Sequence, residues 1–95
     1  MRELKAEQST LYAAMVEIRR AGEAPDRGAA MDVAERHRLF IDRWFYPCSH
    51  AVHAGLASLY DGDRRFTANI DQHGAGLAPF LSAAIRVFER RLGYA

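Results

Sequence analysis

Apolar residues recur along the chain at spacings of three, four and seven positions, the repeat of a helix with one buried face. The first stripe predicts a helix that ends near Ala21, because Arg19 and Arg20 suit the negative end of a helix dipole. Gly22 follows and can adopt the left-handed conformation that often terminates helices. The stripe consists of Leu4, Leu11, Tyr12, Met15 and Ile18.

A second amphipathic segment covers residues 29–45, after a loop rich in glycine, proline and charge. Pro47 disfavours the helical conformation for the residue before it, so this helix should stop near Phe45 or Tyr46. Its apolar face comprises Met31, Val33, His37, Phe40, Ile41 and Trp44.

Three more helices are predicted in the second half of the chain. Ser49 is the expected N-cap of the third helix and Asp63 that of a short fourth helix carrying Phe66 and Ile70. The third stripe consists of Val52, Leu56, Leu59 and Tyr60. A long final helix has Leu77, Phe80, Leu81, Ala84, Ile85, Phe88 and Leu92 as its stripe and should stop at Gly93.

The turn between the third and fourth helices has a competing interpretation as a β-hairpin at Asp61-Gly62. Neither flank alternates apolar with polar residues, so a hairpin is rejected. Four or five helices with short connections predict an all-α domain, packed as a bundle or obliquely as in globin-like folds.

Size and composition limit the number of domains, the cellular location and the partners to be expected. The 95 residues, 49% of them hydrophobic, can form a single domain over 1–95 without disulfides or a structural metal. A lone cysteine and the lack of a signal-peptide pattern predict a cytoplasmic protein. No apolar run approaches the roughly 20 residues that cross a bilayer, and a net charge of +1 argues against direct binding of DNA.

The segment WFYPCSH, residues 44–50, contains the chain's most unusual chemistry. Cys48 precedes a predicted helix N-terminus and two histidines, His50 and His53, all of which would favour a thiolate. A thiolate beside Trp44 and Tyr46 could add to an electrophilic ligand. The alternative, a cysteine buried as a small apolar residue, is the commoner case.

Two other kinds of site remain open for the same segment. His53 could act as a base toward Cys48, with Asp71 orienting it, although no glycine-rich oxyanion turn lies nearby. Cys48, His50, His53 and His37 could ligate zinc, although neither a CxxC pair nor an HExxH pattern is present. We therefore predict no enzyme activity, no metal and no cofactor.

His37 lies on an apolar stripe, between Val33 and Ile41. It is either a core histidine with a satisfied ring nitrogen or a polar contact inside an apolar ligand pocket. The crowding of Phe40, Trp44, Phe45 and Tyr46 at one helix end favours a groove or partner surface there.

Two long motifs, H-x-x-x-I-x-R-W-F-Y-x-C-S from His37 and D-x-R-F-T-x-x-I-D from Asp63, resemble a known family. The family is the TipAS antibiotic-recognition domain, the C-terminal effector domain of a branch of MerR-type transcription regulators. The similarity is close over residues 35–85, and residues 21–37 look like the first interhelical loop of the family.

The resemblance implies a globin-like all-α fold without haem, with a cleft for bulky apolar antibiotics such as thiopeptides. It also implies N-terminal helices that close over the ligand, and a cysteine, here Cys48, that can add to a dehydroamino acid of the ligand. Family pocket residues match His37, Trp44 and Tyr46, and Phe40, His53, Tyr60 and Phe66 complete the predicted ligand-binding set.

Some features depart from the family. Val52 and Leu59 stand where relatives often carry methionine, and Phe88 follows Ile85 where a smaller tail is usual, so the ligand cannot be copied from thiopeptide binders. A winged helix-turn-helix and a dimerising coiled coil do not fit in this chain.

We expect an effector domain whose full regulator is a homodimer that contacts DNA through another domain. The isolated domain could be a monomer. A stand-alone protein that sequesters a toxic drug is the alternative.

Overall fold

The computed structural model describes residues 2–94, which form five α-helices and no strands. This confirms the all-α prediction. The helices are α1 (Arg2–Arg20), α2 (Gly28–Trp44), α3 (His50–Gly62), α4 (Arg64–Asp71) and α5 (Leu77–Arg91).

The helix ends follow from the local sequence. Ser49 caps α3 by accepting a hydrogen bond from the backbone N–H of Val52 at 3.2 Å. Asp63 caps α4 in the same way, accepting from the N–H of Arg65 at 2.8 Å. Gly22 takes a φ of 77° just after α1, a conformation that costs glycine little. The predicted caps and the stop after α1 are confirmed.

The core is centred on α5, which packs against the other four helices. Leu77, Leu81 and Ile85 on its inner face are fully buried, and Leu11 and Met15 of α1 are 1% exposed. Burial of side chains of this size stabilises a fold by about 1.5–3 kcal/mol each. None of the helices in the described range is long and apolar enough to cross a membrane.

Two predicted stripes are wrong in part. Val52 and Leu59 of α3 are each 42% exposed, and His53 and Ala57 are buried in their place. The reason is that α3 turns His53 inward to meet Glu89 of α5. Leu92, predicted to be buried, is 50% exposed because α5 ends at Arg91.

Candidate functional site

A groove of about 350 Å³ opens on the surface between α1, α2, α3 and α4. Aromatic and aliphatic side chains make up most of its wall. Its lining residues are Gln8, Tyr12, Phe40, Ile41, Phe45, Tyr46, Leu56, Leu59, Tyr60, Phe66, Asn69, Ile70, Gln72 and His73.

Several large apolar side chains of the groove face solvent. Phe45 is 54% exposed, and Tyr46, Leu59 and Phe66 are exposed by more than a third. Phe45 makes an edge-on contact with Phe40, and Tyr60 is tilted against Phe66. A contiguous apolar patch left open to water is typical of a binding surface.

Apart from the tyrosine hydroxyls, the polar side chains of the groove are few and lie on α1, α4 and the turn after α4. Gln8 comes from α1, Asn69 from α4, and Gln72 and His73 from the turn that follows α4. The imidazole of His73 stacks on the ring of Tyr12, with centroids 4.4 Å apart. An aromatic cleft with a small number of polar groups is the usual form of a small-molecule site.

A chain of buried polar side chains runs beneath the groove. Nδ1 of His37 lies 3.0 Å from Nε2 of His53, and Nδ1 of His53 lies 2.5 Å from Oε2 of Glu89. His37, His53 and Glu89 are all fully buried. The Tyr60 hydroxyl, 3.5 Å from Nε2 of His37, joins the chain to the groove wall. At the other end, Oε1 of Glu89 is 2.9 Å from Nδ1 of His50.

Burial fixes the protonation of the two inner histidines. It lowers the pKa of His37 from 6.5 to about 3, with the neighbouring His53 adding to the effect. It also lowers the pKa of His53, against the opposing pull of the Glu89 carboxylate. Both rings are therefore neutral at pH 7, each with one donor and one acceptor nitrogen.

The proton positions then follow from the acceptor at the end of the chain. His53 donates through Nδ1–H to Glu89, so its Nε2 accepts from Nδ1–H of His37. Nε2 of His37 is left to accept from the Tyr60 hydroxyl. Every member is satisfied, which buried polar groups require.

Cys48 does not have the environment that the sequence suggested. Its side chain is 1% exposed, and burial raises the pKa of its thiol, with Arg38 opposing the shift. Its backbone is held on both sides: the N–H donates to Asp42 at 2.8 Å, and the carbonyl accepts from Arg38 at 2.9 Å. His53 is directed to Glu89. The prediction of a favoured thiolate is wrong because burial outweighs the nearby positive groups.

The predicted ligand-binding residues fall into two groups. Half of them line the groove, namely Phe40, Tyr46, Tyr60 and Phe66. The other four, His37, Trp44, Cys48 and His53, lie outside its lining. Trp44 is half-buried, donates its indole N–H to Glu7 of α1 at 3.1 Å and has Arg43 over its ring.

Sequence reasoning missed the side of the groove formed by α1, α4 and the turn after α4. Tyr12 was predicted to be a core residue, and its helical spacing gave no sign that it also faces a cleft. Gln8, Asn69, Gln72 and His73 are polar residues with no local motif, so only the packing of the helices identifies them.

The two alternatives that the sequence left open, a catalytic pair of Cys48 with His53 and a zinc site, find little support in the geometry. His53 is oriented by Glu89, while Asp71 accepts a hydrogen bond from the N–H of Ala78 at 2.8 Å. Across residues 2–94, no three His, Cys, Asp or Glu side chains are arranged to hold a metal ion.

Comparison with known proteins finds transcriptional activators as relatives. The chain is 40% identical over 82 residues to the HTH-type transcriptional activator TipA of Streptomyces coelicolor, covering 86% of this chain and 32% of the activator. It is 32% identical over 87 residues to the HTH-type transcriptional activator mta of Bacillus subtilis, covering 92% of this chain and 33% of the activator. The chain thus spans about a third of the length of these relatives.

Two solved structures have the same fold. One is TipAS in complex with nosiheptide, from a thiopeptide antibiotic multidrug resistance system of Streptomyces lividans. It aligns with a TM-score of 0.89 at 38% identity, over 95% of this chain and 63% of that one. The other is the antibiotic-binding domain of a TipA-class multidrug resistance transcriptional regulator, with a TM-score of 0.84 at 37% identity, over 97% of this chain and 98% of that one.

The family profile of this domain matches residues 1–88, nearly the whole length of the chain. Together with the five-helix fold, this match shows that the chain belongs to the TipAS antibiotic-recognition domain family.

Proposed function

We propose that the groove binds bulky, largely apolar antibiotic-like molecules. The observation that carries the proposal is the open aromatic wall formed by Phe45, Tyr46, Leu59 and Phe66, in a domain whose relative binds nosiheptide. Covering such side chains with a ligand removes apolar surface from water, which favours binding by about 25 cal/mol per Å².

The chain would act as the ligand-sensing domain of a MerR-type transcription activator and not as an enzyme. A net charge of +1 supplies little attraction to DNA, so the DNA contact would belong to another domain of a cytoplasmic, homodimeric regulator. The activator relatives TipA and mta support this role.

Ligand binding would act on the position of α1. Gln8 and Tyr12 of α1 line one side of the groove, and α1 is also joined to α2 through Glu7 and Trp44. A ligand that contacts Tyr12 in the closed arrangement favours that arrangement by its differential affinity. Through this shift in the position of α1, ligand binding could be transmitted to the other domains of a regulator.

Cys48 would not form a covalent bond with a ligand in this arrangement. Its thiol is buried outside the groove lining and its pKa is raised. Covalent capture would require α2 and α3 to separate at the 45–49 connection, so binding is proposed to be non-covalent.

Calorimetric titration with nosiheptide tests the proposal, with two variants of α3 as a matched pair. Leu59 and Val52 are equally exposed, but only Leu59 lines the groove. Leu59→Gln should weaken binding about fivefold because it removes roughly 1 kcal/mol of apolar contact. Val52→Gln should bind like the parent, and equal effects of both substitutions would place the ligand elsewhere.

A bacterial reporter distinguishes the regulator from a drug-sequestering protein. Nosiheptide-dependent transcription from a promoter beside the gene supports the regulator. Binding of nosiheptide with neither a promoter response nor an in-frame helix-turn-helix supports sequestration.

A further inference from the structure

A second cavity of about 510 Å³ adjoins the groove on its α1 side. The C-terminal half of α1 and the turn of residues 73–77 form its wall. His73 lines both cavities, and its ring stacks on Tyr12, which lines the groove. The two cavities therefore share His73 as a common wall residue.

The second cavity differs from the groove in its charge. Arg19 and Arg20 both line it, and no acidic side chain is among its described lining residues. Arg20 pairs with Glu17 at 3.7 Å, with both side chains more than 70% exposed. Exposed pairs of this kind are weak and leave the local potential positive.

Arg19 is held in a defined position within this cavity. Its guanidinium donates a hydrogen bond from Nη1 to the carbonyl of Ala75, across from α1 to the turn before α5. It also lies over Gly76, where a Cβ would come within 2.5 Å of Nη2. Gly76 has a φ of 78°, a backbone conformation that favours glycine, and the missing side chain also leaves room for the Arg19 guanidinium.

The Arg19 guanidinium in this position has N–H groups that make no hydrogen bond within the described part of the chain. Of its five N–H groups, the hydrogen bond to Ala75 uses one, and no carboxylate of residues 2–94 pairs with it. Because the turn already fixes the side chain, less conformational entropy is lost when it binds an acceptor. Charge-assisted bonds from arginine to carboxylate, sulfonate or phosphate oxygens are stronger than neutral ones.

We propose that the ligand site extends past the Tyr12–His73 stack into this cavity, where Arg19 binds an anionic group of the ligand. The preferred ligand is then an aromatic or apolar body that carries a carboxylate or similar anion at one end. This inference rests on the proposed function of the groove and adds a chemical class to it.

Two fluorescent probes that differ only in charge test the inference. 2-Anilinonaphthalene-6-sulfonate carries an anion at the far end of its aromatic body, and N-phenyl-2-naphthylamine is the same body without the sulfonate. The sulfonate probe should bind about fivefold tighter to the parent protein. Its advantage should fall with added salt, because screening weakens an exposed ion pair.

Substitutions then assign the difference to Arg19. Arg19→Gln should remove the fivefold advantage of the sulfonate and leave the neutral probe unchanged, whereas Arg19→Lys should retain part of it. Arg90→Gln serves as the control, because it removes the same charge from an exposed position at the end of α5, outside both cavities.

The outcomes separate the two proposals. If neither probe binds, or Leu59→Gln weakens neither, the groove proposal fails. If both probes bind the parent equally, or Arg90→Gln lowers sulfonate binding as much as Arg19→Gln, the groove stands and the anion subsite is wrong. If Arg19→Gln weakens both probes alike, Arg19 only holds α1 in place and the subsite is again wrong.

Discussion

Acid should destabilise this domain well above the pH at which carboxylates titrate, because the fully buried His37 stays neutral in the folded protein while the same histidine binds a proton in the unfolded chain. The pKa of His37 is about 3 in the folded protein and 6.5 when exposed. Below pH 6.5 the unfolded chain therefore binds a proton that the folded protein does not. The folded state loses stability as the pH falls from 6.5 towards 3.

The size of the effect follows from the two pKa values of His37. Each pH unit within this window costs about 1.4 kcal/mol, and integration from pH 7 to pH 5 gives a loss of about 2 kcal/mol. His53, whose pKa burial also lowers, adds to the loss in the same direction. A domain with a total stability of about 5–15 kcal/mol should show this clearly.

Urea denaturation at pH 7, 6 and 5, followed by circular dichroism, measures the free energy of unfolding. His37→Gln keeps an N–H that can donate to His53 but has no ionisable ring, so between pH 7 and 5 it should lose about 2 kcal/mol less than the parent. Ile85→Val is the control: it costs about 0.5–1.5 kcal/mol at every pH and leaves the slope intact. Equal slopes for the parent and His37→Gln would refute the buried neutral state of His37.

Two further predictions concern Cys48 and Glu89. Cys48 in the folded protein should react with iodoacetamide at least about tenfold more slowly than a cysteine peptide, because its thiol is buried and its pKa is raised. Mass spectrometry measures both rates, and equal rates would show that the thiol is reactive in the folded protein. Glu89→Ala should cost about 3 kcal/mol in urea denaturation because it leaves the Nδ1–H of His53 without an acceptor, and a loss below about 1 kcal/mol would show that water takes the place of the carboxylate.

The helices could be read from the sequence because their signals are local. Ser49, Asp63 and Gly22 act on neighbouring backbone, and apolar spacing identifies the inner faces of α1 and α2. Glu89 shows where that reasoning stops. It lies in a charged run, ERR, which is typical of a solvated surface, although its spacing from Leu81 and Ile85 puts it on the buried stripe of α5.

The candidate site was predicted only where one segment supplied several members. Phe40 and Tyr46 lie close together in sequence and both line the groove, as do Tyr60 and Phe66 across the α3–α4 turn. Tyr12 lies far from them in sequence, and no local pattern states that α1 covers this side. The direction of the Cys48 thiol was likewise set by the packing of α2 and α3, which sequence spacing does not encode.

The buried chain of His37, His53 and Glu89 takes one member from each of three helices, α2, α3 and α5. Apolar contacts between helices have no fixed direction, whereas each hydrogen bond in this chain has one partner at one distance. A slipped helix would leave an ionisable or polar group unpaired in the interior, at a cost of about 1–3 kcal/mol or more. We infer that these side chains select one register among the several that an apolar core would accept.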